Sequence, residues 1–516
     1  MIVPDLGRRH IGHRPRALSP PWGTGIRYPL PMPLSRRQFL RRSGAASAAL
    51  MVPSGLQLLA ARMASAADLK ALAAPGYGPL KKDPAGLLEL PEGFQYKALS
   101  TALLGSDNDK RFTQRLSNGE LVPARHDGMA AFTGLAGLTV LVRNHELEPD
   151  HRPVVDPSGK RKYDPRGTGG TTTLWVDGDR NLVRSFPSLS GTFRNCAGGP
   201  TPWGSWLSAE ECVYVPGPED PKLNDPNPKV TQRHGYLFEV DAHAEGLVDP
   251  VPIKAMGRFY HEAVAIDRET GTVYMTEDRP DGLLYRYKPD VLTKGRKRIA
   301  DMKPGDLAEG GTLEALRIVG SPAARTQNYE KPEFKVGQSW SVDWVAIPAR
   351  DPDIDSENDG PLRKPKAAPT STRAQGFALG CTQFARNEGI TYHQRSLHFC
   401  ATNGGREQAG QVWRLELATQ RLTLVLEPDD RRLMDGPDNL TPAPNGDLIV
   451  CEDGTDDDYL LGISPQGRIY RLAHNAYNDT EFAGACFAPD GQTLFVNCQD
   501  PGITYAIWGP WGKRRG

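Results

Sequence analysis

The sequence predicts an all-β fold, a six-bladed β-propeller with surface loop insertions, and three observations carry that expectation. From about residue 90 onward the chain is made of short apolar runs bounded by Gly, Pro, Asn and Asp, with almost no helical periodicity beyond two turns. Its 54 glycines and 45 prolines, with 38% hydrophobic residues, suit a large core built from short strands and many turns. Most tellingly, a loose repeat recurs in which an apolar strand ends in polar or acidic residues and a glycine opens a second strand.

The clearest copies are Thr272 to Asp278 followed by Gly282 to Tyr287, and Leu448 to Asp453 followed by Gly467 to Leu472. Looser ones pair Leu138 to Glu146 with Gly170 to Val176, Trp203 to Glu211 with Gly235 to Val240, Leu397 to Asn403 with Gly410 to Leu415, and Leu494 to Gln499 with Gly502 to Trp508. Such units cannot bury their faces alone and stack as blades around a channel. A large sandwich with irregular hairpins is the competing account, and the polar strand ends speak for the propeller. The gap from Tyr287 to Leu397 is long enough to hold a further strand pair, and the stretches 351–369 and 216–232 read as surface insertions.

Ahead of this domain, expected over residues 90–511, come a linker over 67–89 and an export signal over 1–66. Ser35-Arg36-Arg37-Gln38-Phe39-Leu40-Arg41, a modest apolar stretch from Ala45 to Ala61, and Ala64-Ser65-Ala66 have the order of a twin-arginine signal. That predicts the twin-arginine translocase as a partner and a periplasmic or secreted destination. No segment has the roughly 20 apolar residues of a stable membrane anchor. With 62 basic and 62 acidic side chains, the charge balance gives no reason to expect nucleic acid.

Carboxylates recur where the repeat strands end: Glu146, Glu210 and Glu211, Glu277 and Asp278, Glu452 and Asp453. Glu262 and Glu388 stand at similar turns. Taken singly, each reads equally well as a turn or surface residue. As a set aimed at one channel they would repel one another, and bound cations are the natural compensation; oxygen ligands in that number suit calcium, magnesium or ferric iron. Among seven cysteines, an odd number, Cys196 stands apart between Gly191 and Gly198-Gly199, where a thiolate can approach a transition metal. As a nucleophile it would have only His261 as a candidate partner. Arg386, two residues before Glu388, reads equally as a phosphate clamp or as half of a salt bridge.

The motifs Asn144-His145-Glu146, Asn195-Cys196-Ala197-Gly198-Gly199 with Thr201-Pro202-Trp203-Gly204, Trp206 to Glu211, Gly257 to Ala263, Thr276-Glu277-Asp278, Arg386-Asn387-Glu388-Gly389 and Asp438-Asn439-Leu440 follow one another in an order that resembles the PhoX-type alkaline phosphatases, from about Leu90 to Trp511. The resemblance implies a six-bladed propeller exported by the twin-arginine route, a mixed iron (Fe3+) and calcium (Ca2+) cluster with a cysteine thiolate on iron, and hydrolysis of small-molecule phosphate monoesters. Carried onto this chain, it makes Cys196 the iron thiolate and Glu211, Glu262, Glu277 and Glu388 the leading carboxylate ligands, followed by Glu146, Asp438 and Glu452. Arg386, Glu388 and Asn195 form the expected catalytic set. Ala209 stands where the family commonly has a cysteine or threonine before the acidic pair, and Cys212 follows that pair. A phosphodiesterase or lactonase on the same scaffold, or a calcium-braced binding module, is the alternative.

Overall fold

Neighbouring strands along this chain pair almost everywhere as antiparallel meanders, the arrangement that short apolar runs separated by tight turns dictate. The structure, a computed structural model, describes residues 76–102, 114–159, 161–216, 229–352 and 371–512; the expected signal over 1–66, the start of the expected linker and most of the expected insertions 216–232 and 351–369 lie outside them. The described residues belong to a unit spanning Leu50–Gly516. Among them, no helix is long and apolar enough to cross a membrane.

The architecture is all-β and propeller-like. Its strands form five hydrogen-bonded sheets of six, three, nine, four and four strands rather than six separate ones. The reason is Ser339–Ala346, in the gap suspected of holding extra strands: it pairs with Gly311–Ile318 on one side and Arg421–Leu426 on the other, and so joins two four-stranded meanders into one sheet. Five of the six predicted strand pairs are direct neighbours. The exception is Leu448–Glu452, which pairs with Tyr459–Ile463, a strand the sequence reading passed over, and only through it with Ile469–Asn475. Leu80–Lys81, within the segment expected to be a linker, and Leu88–Pro91, across its boundary with the expected domain, extend that same sheet. The chain closes on itself where Gln95–Thr101 pairs with the last strand, Ile503–Trp508.

Six strands open the meanders and pack side by side in a closed cycle: His126–Thr133, Asn195–Pro200, His261–Ile266, Asn387–His393, Pro437–Pro442, Phe482–Phe487, and back to the first. They surround a channel of about 660 Å³ lined mostly by small or uncharged residues. Close packing is possible because the facing positions are small. A Cβ on Gly128 would lie 2.5 Å from the Ala197 Cα, and one on Gly389 would lie 2.7 Å from the Asn439 Cα. The apolar faces of the sheets are buried against each other between meanders, as in the cluster of Phe384, Phe399 and Trp413. All seven cysteines are buried and free.

Candidate active site and metal centre

Every one of the six inner strands carries a register shift near its start: between His126 and Met129, Asn195 and Gly198, His261 and Val264, Asn387 and Ile390, Pro437 and Leu440, and Ala483 and Cys486. A bulge adds a residue and turns its side chain out of the normal alternation. The first residue inside the six shifts is Asp127, Cys196, Glu262, Glu388, Asp438 and Gly484. Five of the six are potential metal ligands.

A second set comes from the next strand of each meander. The N–H of the residue just past its end donates to a carbonyl two residues before the bulge ligand: Glu146 to Arg125, Glu211 to Arg194, Asp278 to Tyr260, Thr402 to Arg386 and Asp453 to Gly436. The two sets interlock. Ligand atoms of Glu146, Cys196 and Glu211 lie within 4.8 Å of one another, as do those of Asp127, Glu146 and Glu481, of Glu211, Glu262 and Asp278, and of Glu262, Glu388 and Asp438. Because consecutive groups share members, they form one continuous belt. At the sixth corner, where Gly484 has no side chain, Gln499 Nε2 donates to Asp127 (2.8 Å) and Glu146 (3.0 Å).

The belt is electrostatically crowded. Burial, and then the Asp278, Glu262 and Asp438 carboxylates, push the Glu388 pKa well above the usual carboxylate range, with Arg386 offsetting part of the effect. One Glu388 oxygen, Oε2, is buried with no hydrogen-bond partner among the described residues. Three arginines supply positive charge. Arg386 reaches Asp278 through Nε (2.9 Å) and a terminal nitrogen (2.8 Å), and Glu388 at 2.7 Å. Arg194 holds Glu211 at 2.9 Å and lies 3.6 Å from Glu146, which Arg125 holds at 2.9 Å. These carboxylates with one thiol form a donor set that fits hard cations together with one thiolate-bound transition metal.

A scan against family models finds the alkaline phosphatase PhoX over residues 75–502. The chain belongs to the PhoX family. It is therefore a phosphatase, of a metal-dependent family, and it carries clusters of acidic residues that could hold metal ions. Among solved structures, Pseudomonas fluorescens PhoX in complex with vanadate, a transition state analogue, matches at 18% identity with a TM-score of 0.58, covering 83% of this chain and 97% of that one, and shows the shared fold. A virginiamycin B lyase from Staphylococcus aureus (11% identity, 80% and 99% covered, TM-score 0.37) and a gluconolactonase from Xanthomonas campestris (12%, 80% and 97%, 0.36) are more distant. No curated protein matches.

Within this PhoX-family chain, the belt gathers Cys196, Glu146, Glu211, Glu262, Glu388 and Asp438 from the predicted set, with Arg386 over it. It does not gather Glu277 or Glu452. In register they face His261 and Pro437, the residues just before the bulge ligands, so their side chains leave the strand on the side away from the belt. Glu277 instead accepts from the Tyr285 hydroxyl (2.8 Å) and lies 3.4 Å from Arg373. Glu452 accepts from the N–H groups of Asp435 and Tyr459. Asn195 shares their parity: its amide donates to Ser208 and accepts from Thr192, so it braces the turn carrying Cys196.

Sequence reasoning missed Asp127 and Glu481, and it passed over Asp278 in favour of its neighbour. The signal for Asp127 was present as a repeated short pattern, polar residue, acid or thiol, small residue: His126-Asp127-Gly128, Asn195-Cys196-Ala197, His261-Glu262-Ala263 and Asn387-Glu388-Gly389.

Behind Cys196 the belt is anchored by a buried polar pin. Glu210 accepts from the N–H groups of Phe193, Gly235 and Tyr236 and from His234 Nδ1 (2.6 Å), while His234 Nε2 reaches Asp164 (3.4 Å). Burial alone would depress the His234 pKa, but the Glu210 and Asp164 carboxylates outweigh it and raise it to about 9.

Proposed function

We propose that this chain is an exported phosphatase that hydrolyses phosphate monoesters at iron and calcium ions held in the inner belt of a six-bladed propeller. One observation carries the reading: five of six bulged inner strands present a carboxylate or a thiol at the same station, and these groups fall into overlapping clusters of candidate ligand atoms. Counting blades by inner strands rather than by hydrogen-bonded sheets gives six, because the nine-stranded sheet then divides at Ser339–Ala346.

In this reading Cys196, with Glu146 and Glu211, would hold iron, and Glu211, Glu262, Asp278, Glu388 and Asp438 would share the remaining ions. Bound cations supply Lewis-acid polarisation of the phosphoryl oxygens and an activated oxygen nucleophile, so no serine nucleophile is required. The protein's own residues do the positioning. Arg386, held in a left-handed backbone conformation (φ 55°) at the solvent edge of the belt, can exchange its fork on Asp278 and Glu388 for two phosphoryl oxygens. Its fixed charge then offsets the negative charge that grows in the transition state. Asn195 keeps the Cys196 turn rigid. The segment around Arg36-Arg37 directs export to the periplasm or beyond through the twin-arginine translocase.

The test combines p-nitrophenyl phosphate hydrolysis with elemental analysis of the exported, mature protein. We expect wild type to contain iron and calcium and to cleave the ester, and Cys196→Ala to lose iron and activity together. Metals without monoesterase activity would leave the centre standing and move the substrate class to diesters or lactones; a protein free of iron would leave a calcium-braced scaffold. Replacing Arg36 and Arg37 by Lys should trap the precursor inside the cell.

A further inference from the structure

The position two residues before each of the five bulged acids or thiols holds Arg125, Arg194, Tyr260, Arg386 and Gly436. At four of these stations the backbone is left-handed: φ is 52° at Arg125, 43° at Arg194, 55° at Arg386 and 64° at Gly436. The glycine shows what this backbone prefers, since an arginine there accepts a conformation that non-glycine residues seldom adopt. An arginine retained at three such stations is there for its side chain, and Arg386 is one of the three.

The other two are placed to do a related job from elsewhere on the ring. In the cycle of inner strands, the one that follows Arg125 stands three places from the one that follows Arg386, on the opposite side of the channel, and the one that follows Arg194 stands beside it. Arg125 and Arg194 converge on the same Glu146 carboxylate. The side chains of Arg125, Arg194 and Arg386 keep 20%, 15% and 12% of their surface exposed, against 3%, 4% and 1% for Glu146, Glu211 and Glu388. Each arginine side chain is thus more exposed than the acid it pairs with.

We propose that Arg125 and Arg194 form a second anion clamp, facing Arg386 across the belt, which takes an anionic group of the substrate other than the phosphoryl being cleaved. The substrate class that fits is an organic phosphate with a second phosphoryl or carboxylate group, such as a sugar bisphosphate. This rests on the reading of the belt as the phosphate site: once Glu146 and Glu211 share their charge with cations, the two guanidinium groups are available to substrate oxygens. Planar forks on two neighbouring stations suit a tetrahedral or carboxylate anion better than a single ammonium would.

The experiment compares wild type with Arg125→Gln, Arg194→Gln and the double variant on p-nitrophenyl phosphate and on fructose 1,6-bisphosphate, with metal content measured for each protein and pyrophosphate binding measured by calorimetry. Losing charge-assisted contacts of this kind should raise the KM for the bisphosphate and the Kd for pyrophosphate roughly 10- to 100-fold. The KM for p-nitrophenyl phosphate should rise much less, and metal content should hold. Arg→Lys variants should recover the bisphosphate only in part. Equal losses on both esters accompanied by lost metal would overturn the proposal and leave the two arginines as supports for the carboxylates; KM values for both esters unchanged from wild type in every variant would overturn it as well. Wild type that cleaves neither ester fails the phosphate-site reading instead, and the pyrophosphate titration then decides the clamp separately: wild type binding no more tightly than the double variant overturns it.

Discussion

Glu210 and Glu211 are neighbours in sequence, both buried, and their surroundings differ completely. Glu210 is held by three backbone N–H groups and by His234, whose other nitrogen faces Asp164. Glu211 looks into the belt, where Glu146, Glu262 and Asp278 crowd it and Arg194 supplies a counter-charge. The same division separates Glu277 from Asp278. Strand parity decides it: one residue along the strand moves a carboxylate from the packed interior between meanders to the belt. The outward acids are held by hydrogen-bond donors and hold the fold together; the inward ones are gathered against their mutual repulsion, the condition in which a bound cation contributes most.

That contrast can be tested from both sides. The largest effect should come from Glu388→Gln, which keeps the shape of an inward acid and removes its charge. Phosphatase activity should fall by roughly 100- to 1,000-fold, the scale seen when one electrostatic group is removed from an active site, with metal content reduced and the apo-protein's unfolding midpoint unchanged or raised. On the outward side, Glu210→Ala leaves His234 charged and buried beside only Asp164. Global stability should drop by about 3–5 kcal/mol in denaturant unfolding, with activity falling only in step with the folded fraction.

The pin also has a pH signature. The folded-state pKa of His234, about 9, lies above the ordinary value of 6.5, so its contribution to stability is complete below about pH 6.5 and disappears as pH rises through 9. Unfolding free energy measured from pH 6 to 10 should decline across that window by an amount on the order of 3 kcal/mol, and His234→Gln should flatten the decline. The smallest effect belongs to Glu277→Gln, which retains an acceptor for Tyr285 and weakens the contact with Arg373; a loss of about 1–2 kcal/mol with unchanged metal content is expected.

How much of this was legible in the sequence follows from the same parity. The all-β repeat, the recurrent acids at strand ends, Cys196 among its glycines and Arg386 are all local features, and motif and period expose them. The choice of Asp278 over Glu277, and the exclusion of Glu452, depend on a bulge and on which residue pairs with which across two strands, and no single segment contains that information. Asp127 was missed although His126-Asp127-Gly128 repeats the short pattern around Cys196, Glu262 and Glu388, because none of the motifs read from the sequence reached that segment. Glu481 meets Asp127 and Glu146 where the last inner strand packs against the first, a property of the closed ring rather than of any one strand. The five-sheet hydrogen bonding was hidden for a related reason: Ser339–Ala346 bridges two meanders whose outer strands are about a hundred residues apart in sequence.

The most direct test is elemental analysis of two adjacent variants, Glu211→Gln and Glu210→Gln, each purified in folded form. The account predicts that the first loses at least one metal ion per chain and the second keeps the wild-type complement while unfolding more readily. Equal metal loss in both, or loss only from Glu210→Gln, would contradict the claim that strand parity separates metal-holding from fold-holding carboxylates.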